Sequence, residues 1–142
     1  MKTIHSYWAY LVVVILIVAV VNAILALSKK RSFTEKDLRI GLFTLIFAHI
    51  QLLIGLGWYF MSPYYKALKV SSSEVMGDSE VRLLAVEHPI LMVLAIVLIT
   101  IGWSKHKKKT EDVAKFKTFA IFYGIALVLI LSRIPWNQWP SV

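Results

Sequence analysis

The 142-residue sequence contains no cysteine, no internal repeat and no low-complexity tract. Without cysteine, the chain forms no disulfide bond, no thiolate metal site and no covalent heme attachment through a C-x-x-C-H motif. It also lacks a dinucleotide-binding fingerprint, a phosphate-binding loop, a nucleophile motif and a zinc motif. The sequence therefore gives no support to catalysis in a substrate pocket.

Acidic residues are scarce as well, with eight Asp and Glu against sixteen Lys and Arg and a net charge of +8. Such an excess is typical of nucleic-acid binding, but here the positive residues lie in two short segments between apolar runs. These segments hold eleven of the sixteen: Lys29, Lys30, Arg31, Lys36, Arg39, Lys105, Lys107, Lys108, Lys109, Lys115 and Lys117. We expect contact with anionic lipid headgroups and no nucleic-acid partner.

Apolar residues make up 58% of the chain, and the mean hydropathy is +0.71. Soluble domains contain about 45 to 50% apolar residues. A bilayer core about 30 Å thick needs about 20 mostly apolar residues per helix, and four such runs lie at about residues 7–27, 40–61, 83–103 and 116–131. We predict an all-α integral membrane protein, an antiparallel four-helix bundle that forms a single domain over residues 1–142.

The two basic segments also predict how the bundle lies in the membrane. One connects the first and second helices, and the other connects the third and fourth. Positive residues near membrane spans are retained on the cytoplasmic side. We therefore predict a bacterial inner (cytoplasmic) membrane protein with both termini, and the loop over residues 62–78, on the non-cytoplasmic side.

Polar side chains within the apolar runs are the candidates for function, because ionisable groups inside a membrane are costly and mark functional sites by default. The candidates are His5, His49, Glu87, His88 and Arg133, with Asn22, Gln51 and Thr100 as uncharged additions. A fourth histidine, His106, falls among lysines beyond the third run. We expect it to be a solvated loop residue.

The depth of the histidines follows from the helical rise of 1.5 Å per residue. His5 and His88 lie near the outer starts of the first and third helices, while His49 lies deeper in the second. In an up-down bundle the first and third helices are parallel and diagonal. Two histidines at one height can then face each other across the interior, as two axial imidazole ligands of a heme iron do. His49 is the alternative ligand.

Each of these residues also has at least one other interpretation. His5 would be an interfacial histidine among headgroups, and His88, before Pro89, would belong to a helix N-terminus. His49 would relay protons, hydrogen-bond a quinone or bond a neighbouring helix. Arg133 would pair either with Glu87 or with a heme propionate, whose carboxylate suits a two-pronged guanidinium contact.

Small residues recur every seven positions along the second helix, at Gly41, Ala48 and Gly55. Such a stripe lets a neighbouring helix or a ligand approach the backbone closely. It is compatible with a ligand in the bundle and equally with ordinary helix packing.

The segments HSYWAYLVVV, FTLIFAHIQLLIGL and VEHPILMVLAIVLITIGWSKHKK, with the ending SRIPW, resemble small four-helix bacterial membrane proteins labelled cytochrome B. More distantly, the chain resembles one half of heme A synthase, in which histidines near the outer starts of two parallel helices bind heme. His5 and His88 match those ligands, and QLLIG from Gln51 to Gly55 matches a Q-x-x-x-G stretch between them. The chain lacks a glutamate before His5 and a second bundle, so the synthase reaction is not implied.

The resemblance implies heme b and one-electron transfer, because two protein ligands leave no open iron position for oxygen chemistry. Besides the lipid bilayer, the expected partners are quinol or a respiratory membrane complex, in a homo- or hetero-oligomer. An electron carrier or subunit is favoured over a stand-alone enzyme. The alternatives are a cofactor-free accessory or assembly subunit of a larger membrane complex, and a heme-carrying protein.

Overall fold

The computed structural model describes residues 2–136, and every regular element in that range is helical. The helices are α1 (Lys2–Lys29), α2 (Glu35–Met61), α3 (Pro63–Val70), α4 (Ser72–Gly77), α5 (Ser79–Arg82), α6 (His88–Lys107) and α7 (Asp112–Ser132), and a π-helical turn (Leu83–Glu87) joins α5 to α6. Four stretches are long and apolar enough to cross a membrane: Thr3–Lys29, Glu35–Met61, Ser79–Lys107 and Asp112–Ser132. The all-helical class and four candidate spans are thus confirmed.

The long helices extend beyond the apolar runs because polar residues cap their ends. α2 begins at Glu35 rather than at residue 40, since the backbone N–H and hydroxyl of Thr34 both donate to the Asp37 carboxylate, at 2.8 and 2.9 Å. The third span begins at Ser79, where the Asp78 carboxylate accepts from the N–H groups of the first turn of α5.

The connection over residues 62–78, predicted to be a loop, is largely helical. Ser62 is buried, and its hydroxyl oxygen accepts from the N–H of Tyr65 at the start of α3. Pro63 occupies the first turn of that helix, where its missing N–H costs nothing. Because this segment is polar, the sequence did not predict its two short helices, α3 and α4.

The four long helices follow one another around the bundle. α1 packs against α2 and α7, and α6 packs against the same two helices, so α1 and α6 are diagonal. Trp8 near the start of α1 donates to the carbonyl of Phe47 in α2, while Asn22 later in α1 bonds Asp37 at the start of α2. The first two helices therefore run in opposite directions.

The outer surface of the bundle is apolar. Only 17 to 33% of the residues in each apolar window are buried inside the protein, and large side chains such as Leu53, Val14 and Val128 are more than half exposed. Polar solvent would not stabilise such a surface, whereas lipid chains do. Four such helices indicate a multi-pass membrane protein, and their apolar outer faces are consistent with contact with the bilayer.

His106 is placed differently from the prediction, which is wrong on this point. The side chain is 1% exposed and lies in the last turn of α6. Its ring centroid lies 4.5 Å from that of Phe119 and 4.6 Å from that of Trp103. Because α6 continues through Lys107, position 106 falls on the inner face while Lys105 and Lys107 on either side remain exposed.

Candidate functional site

A cavity of about 420 Å³ lies within one end of the bundle. The starts of α1 and α6 and the ends of α2 and α7 surround it, over residues 3–13, 48–59, 84–96 and 130–135; we call this region the site end. The polar residues of its lining are Thr3, His5, Ser6, Gln51, Trp58, Tyr59 and His88. Its volume falls in the range of about 300 to 1,000 Å³ typical of small-molecule sites.

Two histidines face each other in this cavity. The imidazole centroids of His5 and His88 are 6.3 Å apart, and their planes are inclined by 83°. His5 comes from α1 and His88 from the start of α6, which are the diagonal helices of the bundle. Both residues line the cavity.

His5 is positioned by close contact between α1 and α2. A Cβ atom at Gly55 would lie 2.9 Å from Cε1 and 3.3 Å from Nδ1 of the His5 ring, so the imidazole needs glycine there. One turn earlier in α2, the Gln51 side-chain amide donates to the His5 backbone carbonyl at 2.8 Å. The stretch from Gln51 to Gly55 thus holds both the backbone and the ring of His5.

The other two small residues of the α2 stripe have different surroundings. Ala48 is buried and lines the cavity. A Cβ at Gly41 would lie 2.7 Å from the Phe119 ring, outside the cavity of His5 and His88. The stripe therefore serves the site at Ala48 and Gly55 and helix packing at Gly41.

His88 is positioned by an irregular turn that sequence reasoning missed. Pro89 has no N–H, so the Ala85 carbonyl, four residues earlier, lacks its α-helical donor. The Tyr59 hydroxyl donates to that carbonyl at 2.6 Å. The helix opens into the π turn Leu83–Glu87 before His88 and continues. His88 is consequently not at a free helix N-terminus, and the extra residue of the turn sets the direction of its side chain.

The second ring nitrogen of His88 is held by α7. Its Nδ1 lies 2.8 Å from the backbone carbonyl oxygen of Arg133. Since a carbonyl only accepts, Nδ1 carries the hydrogen, and the lone pair of His88 is on Nε2. Metal-ligating histidines typically donate the hydrogen of their second ring nitrogen to an acceptor of this kind.

The Arg133 side chain contacts Glu87, with its Nε 3.7 Å from Oε1. Glu87 also accepts from Arg82 at 2.9 Å, a pair that the sequence did not suggest. Arg133 is not among the described cavity-lining residues, although its carbonyl reaches His88. Of the two sequence interpretations, the pairing with Glu87 is the one present in this structure.

His49 lies outside the lining of the cavity. Its Nδ1 bonds the Leu45 carbonyl of its own helix at 2.8 Å, and its Nε2 lies 3.4 Å from the Thr100 hydroxyl of α6. This is the helix-bonding interpretation of the deepest histidine. His49 and His88 are not brought together as a ligand pair.

Two buried polar atoms in residues 2–136 have no hydrogen-bond partner, and both belong to the site end. They are Nδ1 of His5 and the side-chain oxygen of Gln51. Buried polar atoms are almost always paired in native proteins. Both atoms are therefore available to bond a partner, either within this chain or in the cavity.

The residues present fit a heme. A metal–nitrogen bond of about 2 Å on each side, plus about 1 Å from each nitrogen to its ring centre, separates two axial imidazole centroids by about 6 Å. The observed separation of 6.3 Å agrees. Within residues 2–136 no three His, Cys, Asp or Glu side chains are grouped to hold a metal ion. A metal here would need further ligands from outside the protein, as a porphyrin provides.

Comparison with known proteins adds no relative: no family model, no curated protein and no solved structure matches this chain. The resemblance to cytochrome B proteins and to half of heme A synthase stays a prediction. The geometry of the cavity and its two histidines is therefore the basis for assigning a function.

Proposed function

We propose that this protein is a membrane b-type cytochrome that holds heme b between α1 and α6 and passes single electrons. The observation that carries the proposal is the His5–His88 pair, two imidazoles on diagonal helices with centroids 6.3 Å apart in a largely apolar cavity. Bis-histidine ligation needs two such rings at one height on opposite walls.

The residues of the site end would contribute to heme binding in different ways. His5 and His88 would hold the iron from its two sides, and Gly55 leaves room for the His5 ring. The Arg133 carbonyl keeps the hydrogen of His88 on Nδ1. Bound heme would supply a one-electron iron couple without an open coordination position. Apolar walls such as Met92 and Ile96 would keep water from the macrocycle.

The proposal includes an orientation in the bacterial inner membrane. Eleven of the sixteen Lys and Arg residues belong to the two connections at the opposite end of the bundle from the cavity. With that end in the cytoplasm, both termini and the heme site lie towards the outer face. Electrons would then pass between a membrane donor, quinol or a respiratory complex, and an acceptor at that face.

The alternative functions use the histidines differently. In a cofactor-free accessory or assembly subunit, the histidines would bond neighbouring helices, as His49 does. The two neighbouring imidazoles in the wall of one open cavity favour heme binding over that function. A heme-carrying protein would use the same site with weaker ligation.

The test is the visible absorption spectrum of the detergent-purified protein from heme-replete cells, oxidised and dithionite-reduced. We expect sharp reduced bands in the wild type and in His49→Ala, and their loss in His5→Ala and in His88→Ala. Loss with His49→Ala instead of His5→Ala would reassign the ligand pair. A colourless wild-type protein would overturn the cytochrome and leave the accessory subunit as the better proposal.

A further inference from the structure

We propose that Gln51 is a positioning residue: its side-chain oxygen takes the Nδ1 hydrogen of His5 and holds the imidazole in the tautomer whose Nε2 lone pair faces the cavity. The inference deepens the proposed function and rests on it, because Gln51 would support a heme ligand. Its geometry depends only on this chain.

The first step is the chemical match between the two unpaired atoms. Nδ1 of His5 and Oε1 of Gln51 are the buried side-chain atoms without a partner in residues 2–136, and both residues line the same cavity. An amide oxygen only accepts, whereas an imidazole nitrogen can carry a hydrogen and donate it. Pairing the two satisfies both atoms at once.

The second step is their placement. The Gln51 nitrogen already donates to the His5 backbone carbonyl at 2.8 Å, which brings the amide group to the level of His5 and identifies its other atom as the oxygen. Around the Gly55 Cβ position, Cε1 and Nδ1 of His5 lie at 2.9 and 3.3 Å and Nε2 at 3.8 Å. The Cε1 edge of the imidazole therefore lies against α2, the helix that carries Gln51, with Nδ1 closer to Gly55 than Nε2 is. The two atoms are not bonded to each other in this structure, so the proposal requires the two side chains to turn towards each other.

The third step is the comparison with His88. There the Arg133 carbonyl already accepts from Nδ1 and leaves Nε2 for a ligand. Metal-binding histidines almost always have such an acceptor on the second nitrogen, which sets the tautomer and the ring orientation and raises the basicity of the ligand. With Gln51 in this position, the two facing imidazoles are supported alike, one by a backbone oxygen and one by an amide oxygen.

Two variants and a control separate this function from helix packing. Gln51→Leu removes the acceptor and keeps the bulk, and Gln51→Glu keeps an acceptor oxygen and makes it stronger. Thr44→Val is the matched control, because Thr44 is also a buried polar residue of α2 whose hydroxyl reaches α1, at the Ile15 carbonyl, away from the cavity.

The first measurement is nitrogen-15 NMR of histidine-labelled protein in detergent, with the His5 signals assigned from His5→Ala. It reports the tautomer whether or not heme is present. We expect hydrogen on Nδ1 of His5 in the wild type and in Thr44→Val, and a shift towards hydrogen on Nε2 in Gln51→Leu. An unchanged His5 tautomer in Gln51→Leu would overturn the inference.

The second measurement is the midpoint potential of the heme. A stronger acceptor on Nδ1 makes the imidazole a better donor to oxidised iron, so Gln51→Glu lowers the potential and Gln51→Leu raises it, while Thr44→Val leaves it unchanged. Heme affinity falls about 10- to 100-fold in Gln51→Leu. Shifts of the same sign in both Gln51 variants would reduce Gln51 to a packing residue. If the wild type is colourless, the cytochrome fails while the NMR result still decides the tautomer.

Discussion

The two ends of the bundle differ in whether their buried polar groups are paired within the protein. At the site end, His5 and His88 line a cavity of about 420 Å³, and two buried side-chain atoms are unpaired. The other end, residues 22–40 and 102–119, we call the basic end. Its cavity of about 10 Å³ has no room for more than a water molecule. Open volume with unpaired atoms distinguishes a site from a structural polar cluster.

The basic end pairs its charges within the protein. Asp37 is 4% exposed, and both of its oxygens accept from Arg31 at 2.9 Å. Asn22 donates to the same carboxylate at 2.8 Å and accepts from Arg31. A buried carboxylate is tolerated only with such partners. This cluster joins the end of α1 to the start of α2 and needs no ligand to complete it.

The largest effect is expected from removing the cation of that cluster. Arg31→Ala leaves the buried Asp37 carboxylate without its cation, while Asn22 and Thr34 still donate to it. Because the Arg31 side chain is 38% exposed, we expect a cost of about 2 to 4 kcal/mol of unfolding free energy, below that of a fully buried pair. The control is Arg39→Ala near the start of α2. Its ion pair with Glu35 is exposed, with side chains 63% and 72% accessible, and is worth less than about 1 kcal/mol. Unfolding in detergent, followed by circular dichroism, measures both. Equal stability of the two variants would show that the basic end is not held by this cluster.

The next effect tests the site end by filling it. Gly55→Ala places a methyl group 2.9 Å from Cε1 of His5. We expect displacement of the ring, loss of the reduced heme bands and about 1 to 3 kcal/mol of overpacking cost. In Gly124→Ala the new methyl group meets nothing within 4 Å, so stability should hold or rise by up to about 1 kcal/mol. Full heme content in Gly55→Ala would contradict the close approach that we assign to His5.

A smaller effect is expected at the buried histidine of the basic end. His106→Leu loses the Nδ1 bond to the Trp103 carbonyl, 2.6 Å long, and the packing on Phe119. The expected cost is about 1 to 2 kcal/mol, a lost hydrogen bond partly offset by an apolar side chain. The absorption spectrum should be unchanged, because this histidine lies outside the cavity. Altered heme bands would show that a change at the basic end affects the site end.

The histidines show how far sequence reasoning reaches in this protein. Composition and run length predict four helices, and the rise per residue puts His5 and His88 at one height. The direction of a side chain around the helix axis is harder to predict. His106 was placed in solvent because its lysine neighbours are polar, although one further turn of α6 carries it inward. Its position depends on where the helix ends, which caps and packing decide.

Two features of the structure, one at each end of the bundle, could not be predicted because they depend on contacts between different helices or their ends. The π turn before His88 depends on Pro89 together with a hydroxyl from α2, and only the proline is visible locally. Asp37 was overlooked because it precedes the second apolar run, where a carboxylate is unremarkable. Its burial depends on Asn22 of α1 and on Arg31, which follows the end of α1.

The smallest effect concerns the hydroxyl that supports the π turn. Tyr59→Phe leaves the Ala85 carbonyl without that donor and should cost about 1 kcal/mol. We expect the heme to be retained with a broadened spectrum, because His88 directly follows the loosened turn. Adding Pro89→Ala returns an N–H four residues after Ala85, so the double variant should regain stability. It should also form a regular helix and turn His88 away from His5, so heme binding should fall. Stability recovered with full heme binding would show that the π turn is not needed to aim His88 into the cavity.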